Sequence, residues 1–327
     1  MHIKDYSILV DLSSNKRVVP WQDKHKKSLE LAASYERINE SAKAARMREC
    51  GTLLEFKVFD DNAMQLHRAN FCKIRLCPMC AWRRSLKIFG QVSQIMDEAQ
   101  KDSNHEFIFL TLTIKNVLGN KLSAALDALL EGYRKLLRKL SRNKKYKKYI
   151  LGEFRVLEIT HNLDSNSEFF NTFHPHLHCI LMVNKGYFSN CYISQDEWRQ
   201  IWQDCINSDY LPLVNVQKIE NINGAVREVA KYTLKDSDLL YPYDNDLQDS
   251  TVRVLDDALF NRRLVSFSGE FYRIRKRLKL DDCIDGDLVQ TDINNLRDDI
   301  AYAIVRYRWH AGYNNYVRLN DDNDYVL

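Results

Sequence analysis

The segment HPHLHC (174–179) places histidines at alternating positions. On an extended strand, alternate side chains leave the same face, so His174, His176 and His178 share one side while Leu177, Cys179 and Leu181 take the other. His176 and His178 are close enough at this spacing to converge on one metal ion. A third ligand must come from a neighbouring strand, and Glu158 is the only acid in RVLEIT (155–160). If the loop DSNSEFF turns a hairpin centred near residue 167 or 168, Glu158 falls opposite His176 or His178. A carboxylate in an apolar strand is costly unless a cation or hydrogen bonds compensate it. Mixed imidazole and carboxylate ligation suits Mg²⁺ or Mn²⁺ handling phosphate oxygens, with zinc chemically allowed. The plainer alternative is a sheet face with satisfied histidines and an edge carboxylate. For one histidine that alternative would win; for the pair plus a cross-strand acid, the metal reading wins.

A second constellation lies in GAVREVAKYTLK (224–235), which reads as a helix behind Asn223, a good N-cap residue. Glu228, Tyr232 and Lys235 fall at i, i+4 and i+7, on one face. A phenol with a pKa near 10 is a poor nucleophile until cations lower that value or a metal activates its target. Lys235 supplies a cation, and Glu228 can accept a proton from water or a hydroxyl. Such residues are also common on solvated helices, and the chain has 17 tyrosines. The trio gains weight from its neighbours.

Four of the eight cysteines cluster: Cys72-x4-Cys77-x2-Cys80, with Cys50 as fourth and His67 as its rival. CxxC spacing is that of a structural zinc knuckle. Disulfides are disfavoured by the expected cytosolic setting. Arg75, Arg83 and Arg84 surround the knuckle and are expected either to face DNA phosphates or to be merely solvated. From Arg134 to Lys148 there are nine Lys/Arg and no acid. Arg138, Lys139, Arg142 and Lys145 of this run are candidate phosphate contacts, with Tyr146 and Tyr149 able to stack on bases. Such cations set salt-dependent affinity rather than sequence choice. A second basic run, RIRKRLK (273–279), is expected to serve duplex binding or assembly.

These residues need elements to position them. FIFLTLTI (107–114), EFRVLEIT (153–160), HLHCILMV (176–183) and LPLVNVQKI (211–219) read as strands. Residues 22–48, 82–100, 122–146, 196–205 and 224–235 read as helices. The order from residue 107 is β-α-β-β-α-β-α. It predicts an α+β fold with an antiparallel sheet of ferredoxin-like, split βαβ type, an added catalytic helix and a small cysteine-rich zinc module. The expected division is 1–49, an N-terminal helical segment; 50–100, the zinc module and its helix; 101–240, the catalytic domain; and 241–327, a C-terminal region for DNA binding or assembly.

Composition bounds these readings without choosing among them. The 327 residues carry 48 Lys plus Arg against 44 Asp plus Glu, so a net charge of +4 is too small to diagnose a nucleic-acid binder. At 45% hydrophobic and 28% charged, the chain is neither disordered nor low-complexity. No apolar run approaches the ~18 residues of a membrane helix. The charged N-terminus lacks a secretion signal, and a cytoplasmic location is expected.

Taken together and in this order, TLT (111–113), HPHLHC and EVAKYTLK resemble the three motifs of rolling-circle replication initiators of bacterial plasmids, single-tyrosine members of the His-hydrophobic-His endonuclease superfamily. FCKIRLCPMCAWRRSLKI (71–88) also resembles that family's cysteine segment. The resemblance spans roughly residues 50 to 280. It implies a site- and strand-specific nickase in which Tyr232 attacks a phosphodiester at the plasmid origin, leaving a 5′-phosphotyrosyl link and a free 3′-OH. It implies His176 and His178 as metal ligands with Glu158 as third, and Glu228, standing where some relatives carry a second tyrosine, as activator of water in the terminating cleavage. Origin DNA, duplex or as a single-stranded hairpin, is the implied partner, with a host helicase and DNA polymerase following. Homo-oligomer assembly is left open, and no membrane is involved. Two other readings compete: a metal-dependent hydrolase with a HxH site, which needs no Tyr232, and a non-catalytic zinc-containing DNA-binding regulator, which leaves Glu158, His176 and His178 unexplained.

Overall fold

A computed structural model of the chain describes residues 7–13, 15–230, 235–241, 243–291 and 302–319. In chain order these form α1 (Trp21–Arg37), α2 (Ser41–Arg48), β1 (Leu53–Phe59), β2 (Met64–Ala69), α3 (Pro78–Gln100), β3 (His105–Thr113), β4 (Val117–Leu118), α4 (Gly119–Arg142) and α5 (Lys144–Lys147). They continue with β5 (Ile150–Asn162), β6 (Thr172–Asn184), α6 (Gly186–Asn190), α7 (Gln195–Ile206), β7 (Val214–Lys218), α8 (Ile222–Val229), α9 (Asn245–Leu259), β8 (Val265–Ser268), α10 (Gly269–Arg277), β9 (Tyr302–His310) and β10 (Asn315–Leu319). The expected α+β class with antiparallel sheets is what the chain forms.

The chain divides into two compact units, one built from 1–87, 240–252 and 287–327, the other from 88–239 and 253–286. Residues 241–327, expected as one C-terminal region, are thus divided between them. In the first unit the sheet order is β10-β9-β1-β2. The hairpin β1–β2, flanked by Cys50 and Cys72, is therefore extended by strands from the far end of the chain. The single helix expected over 22–48 is two helices, because Asn39 takes a left-handed conformation (φ 67°) between α1 and α2. Asn is among the few residues that enter that region at low cost. Helix α3 begins at Pro78, four residues before the expected start. Proline at a first helical position lacks only an N–H that would be unsatisfied anyway.

The second unit is organised on the sheet β7-β3-β6-β5-β8, antiparallel throughout, with β4 pairing to β6. Leu122, Leu126, Leu129, Leu136 and Leu140 recur at helical spacing on α4 and are all buried. Burying each leucine is worth roughly 1.5–3 kcal/mol relative to leaving it in water. α4 lies over the face that carries Glu153, Arg155 and Cys179, where the Tyr133 hydroxyl donates to Glu153. Gly132 lets α7 approach α4: a Cβ there would stand 2.6 Å from a methyl of Ile206. α7 itself starts at a capping box, Ser194 accepting from Glu197 N while the Glu197 carboxylate accepts from Ser194 N. Since helices fill that face, the histidines and Glu158 belong to the opposite one.

Candidate active site

The hairpin register decides the first constellation. β5 and β6 pair with Glu158 directly across from His176 and Val156 across from His178. Glu158 Oε2 lies 2.8 Å from His178 Nε2 and 3.2 Å from His176 Nε2. The three residues are 5, 9 and 8% exposed, respectively, and their ligand atoms lie within 4.8 Å of one another. Burial alone would raise the Glu158 carboxyl; hydrogen bonds and charge from the two imidazoles outweigh it and hold it well below the usual carboxylate range.

Each ring is also held from behind. His176 Nδ1 is 3.1 Å from the His174 carbonyl, which can only accept, so this ring nitrogen donates. His178 Nδ1 is 3.2 Å from the Thr111 hydroxyl, and Thr111 is the residue of β3 opposite His178. Partners behind a ligating imidazole fix its tautomer and its aim. The donor set therefore fits a divalent cation: two Nε2 atoms and an ionised carboxylate converge on one point. His174 lies beside the group, its ring centroid 5.3 Å from that of His176, and is not part of the cluster.

The second constellation is positioned differently from its expected helix. α8 is capped by Asn221, whose side chain accepts from Gly224 N at 3.0 Å, and it ends at Val229. Asn223 is thus inside the helix rather than its cap. Lys235 is extended (ψ 153°), so the helix does not run through to it. Its backbone N–H instead donates to the buried Asp238 carboxylate at 3.0 Å. Lys235 nonetheless reaches the site, with Nζ 3.4 Å from Glu158 Oε1. Glu228 is half-buried and lines a cleft of about 440 Å³ together with Phe109, whose ring centroid is 5.6 Å from that of His178. Tyr232 lies outside the described residues.

In the first unit, Cys50, Cys72, Cys77 and Cys80 form a second ligand cluster. Cys50 Sγ is 3.5 Å from Cys80 Sγ and 3.6 Å from Cys77 Sγ, and Cys72 Sγ is 3.7 Å from Cys80 Sγ. Cys72 N and Lys73 N each donate to a sulfur at 3.3 Å, and the Ser28 hydroxyl lies 3.4 Å from Cys77 Sγ. Such contacts favour thiolates. Burial opposes the Cys77 thiolate, yet the hydrogen bonds from Cys50, Cys72, Cys80 and Ser28 outweigh burial and pull its pKa well down. His67, the rival fourth ligand, is exposed and outside the cluster. Four sulfurs at this spacing fit a tetrahedral ion.

Residues 63–317 match the family described as Replication protein. A protein rep of Bacillus amyloliquefaciens is 37% identical, covering 96% of this chain and 98% of its own length. One from Streptococcus pneumoniae serotype 2 is 36% identical over 94% and 95%, and one from Lentilactobacillus hilgardii is 35% identical over 94% and 98%. The chain belongs to the plasmid rolling-circle replication initiators. No solved structure matches it.

The initiator's arginines correct part of the sequence reading. Arg83 and Arg84, expected beside DNA phosphates, are 5 and 6% exposed. Arg83 donates to the carbonyls of Leu288 and Val289 at 2.9 and 2.6 Å, and burial pulls its guanidinium down to about 10. Arg84 donates to the carbonyls of Lys73 and Ile74 at 2.6 and 3.2 Å, clamping the loop between Cys72 and Cys77. Both have become internal because α3 starts early and turns them into the unit. Arg75 is half-buried. On α4 and α5, Arg138, Lys139, Arg142 and Lys145 are exposed, with Arg138 paired to Glu131 at 2.8 Å and Lys139 to Asp204 at 2.9 Å. Among the described residues, no helix is long and apolar enough to cross a membrane.

Sequence reasoning missed three supporting residues. Thr111 sits inside a recognised motif, but its partner is set by the non-local β3–β6 pairing. Asp238 and Ser28 act through a turn and a helix that carry no motif.

Proposed function

We propose that this initiator cuts one strand of plasmid origin DNA at a defined site and later rejoins it, in a reaction that depends on a divalent metal. The observation that carries the proposal is the convergence of Glu158, His176 and His178, with the Lys235 ammonium 3.4 Å from the carboxylate, in a chain of the replication-initiator family. Glu158 and the two Nε2 atoms would hold Mn²⁺ or Mg²⁺, which when bound neutralises charge on the non-bridging oxygens of a phosphodiester. The Tyr232 phenol oxygen attacks phosphorus, the bond from phosphorus to O3′ breaks, and the departing oxygen takes a proton to become a free 3′-OH. The 5′-phosphate stays on the tyrosine as an ester, which conserves the bond energy that rejoining needs. Lys235 favours the ionised phenol by its charge. In the terminating cleavage Glu228 takes the proton of a water whose oxygen attacks the phosphorus of the adduct, and the bond from phosphorus to the Tyr232 oxygen breaks as that oxygen takes up a proton. Phosphoryl transfer asks for positioning and charge neutralisation above all.

In the first unit, Cys50, Cys72, Cys77 and Cys80 would hold a structural Zn²⁺. Arg75, Arg138, Lys139, Arg142 and Lys145 contact origin phosphates, and a host helicase and DNA polymerase use the exposed 3′ end. A plain HxH hydrolase leaves Tyr232 without a task, and a zinc-containing regulator leaves Glu158, His176 and His178 without one.

The test is incubation with end-labelled single-stranded origin oligonucleotide and Mn²⁺, followed by denaturing electrophoresis. The expected result is label that migrates with the protein, absent with Tyr232→Phe. Adduct persisting in Tyr232→Phe would move the nucleophile elsewhere. Glu228→Ala should form adduct and release it slowly by hydrolysis; normal turnover removes Glu228 from the scheme.

A further inference from the structure

The sheet face that carries the histidines continues past them to an edge strand, and its register says what lies there. Thr111 pairs with His178 on one side and with Asn215 on the other. Phe109 pairs with Ile180 and with Gln217. Residues directly opposite in an antiparallel pair share a face, so the row His178–Thr111–Asn215 crosses the sheet, with Ile180–Phe109–Gln217 beside it. At ~4.8 Å between strands, Asn215 stands about 10 Å from His178 along the row. That is within reach of the nucleotide adjoining a phosphate held at the metal ligands.

β7 alternates accordingly. Val214 is buried and Val216 half-buried, turned to the side of the helices, while Asn215 and Gln217 are exposed on the histidine side. Neither amide makes a side-chain hydrogen bond among the described residues. Gln217 lines the cleft of about 440 Å³ that also holds Phe109, Asn221 and Glu228. The charges of this cleft select what enters. The Glu220 carboxylate repels phosphate, and Lys218 is already paired with Glu106 at 2.9 Å. A base suffers no such repulsion, and a Gln or Asn amide offers one acceptor and a donor side by side, the complement of the adenine edge.

We infer that Asn215 and Gln217 read an unpaired base, adenine being the best match, immediately beside the phosphodiester that is cut. This rests on the nicking reading and adds to it the residues that choose the sequence. Cations elsewhere supply affinity; these amides supply discrimination.

The experiment uses the full chain with Mn²⁺ and single-stranded origin oligonucleotides in which each base flanking the nick is replaced in turn by the other three. Adduct formation is compared as kcat/KM. Wild type should prefer one base at one flanking position by roughly 5- to 150-fold, the range of a good amide–base pair. In Gln217→Ala and Asn215→Ala that ratio should fall toward one. Wild-type discrimination retained by both variants overturns the inference, as does a loss that is equal for every sequence. The same oligonucleotides are titrated against Tyr232→Phe protein by equilibrium binding, with and without Gln217→Ala. Absence of adduct in wild type sinks the nicking reading, whereas base preference in binding that survives Gln217→Ala sinks only the assignment of the amide.

Discussion

The two ligand clusters are built on opposite plans. The four cysteines are all buried, two of their sulfurs accept backbone N–H groups, and Arg84 clamps the loop they enclose. Four ligands complete a tetrahedron and leave no position for substrate. The second cluster has three ligands from two strands, equally buried, with Lys235, whose side chain is half exposed, 3.4 Å from the carboxylate. Three protein ligands leave a coordination position open for an oxygen of something else. The first arrangement suits an ion that holds chain together, the second an ion that works. Their sequence signatures differ in the same sense: Cys72, Cys77 and Cys80 fall in one short segment, whereas Glu158, His176 and His178 depend on a register between strands.

The largest expected effect tests the closed cluster. Structural zinc contributes on the order of 10–16 kcal/mol in small metal-folded peptides, comparable to the 5–15 kcal/mol that stabilises a whole domain. Cys77→Ser should therefore lose bound zinc and unfold at far lower temperature, checked by metal analysis and thermal melting. Unchanged zinc content and an unchanged melting midpoint would erase the contrast. His178→Ala should do the reverse. It removes one of the two imidazole partners of the Glu158 carboxylate, a cost of about 1–3 kcal/mol. It should cut adduct formation by more than the 10–100-fold typical of residues behind a metal ligand. Circular dichroism melts and the gel assay measure the two sides of that split.

How much of this was legible beforehand follows from the range of the interactions. Glu158 opposite His176 could be anticipated because β5 and β6 are joined by a short hairpin, so counting from its centre gives the register. The helix periodicities of α4 and α7 were equally local. The end of α8 at Val229 was not, since nothing in VREVAKYTLK signals it; nor was the extended Lys235, whose N–H goes to Asp238. The burial of Arg83 and Arg84 depends on carbonyls at Leu288 and Val289 and on a helix start at Pro78, which charge counting ignores. The extension of the β1–β2 hairpin by β9 and β10 joins residues some 250 positions apart, beyond any pattern read along the chain.

Thr111→Val sharpens the comparison at the open cluster. The hydroxyl is the partner of His178 Nδ1 at 3.2 Å. Valine keeps the β-branched shape suited to a strand and removes only the hydrogen bond. Metal affinity should fall about 10–100-fold while the fold is retained. Titration of Mn²⁺ against adduct yield would show the higher requirement, with yield recovering at saturating metal. Failure to recover would place Thr111 in the chemistry rather than behind it.

The smallest effect separates the sheet's stability from its metal chemistry. His161, on the same strand as Glu158, stacks on Phe173 with ring centroids 4.2 Å apart and lies 2.9 Å from Asn171 Oδ1 through Nε2. Burial, the largest influence, lowers its pKa below the ordinary histidine value, more than the hydrogen bonds to Asn171 and near Asp238 restore it. Above about pH 6.5 both folded and unfolded chains carry it neutral, so its contribution is complete there. As pH falls through that value the unfolded chain binds the proton first, and stability declines until the folded form titrates too. One such group changes the slope by at most about 1.4 kcal/mol per pH unit. His161→Gln should therefore flatten the loss of urea stability between neutral and mildly acidic pH. It should leave the Mn²⁺ requirement of adduct formation where it was, since His161 is outside the ligand cluster. An unchanged slope would assign the acid sensitivity elsewhere, His25 beside Cys50 being the buried imidazole of the other unit whose pKa is also lowered, again chiefly by burial.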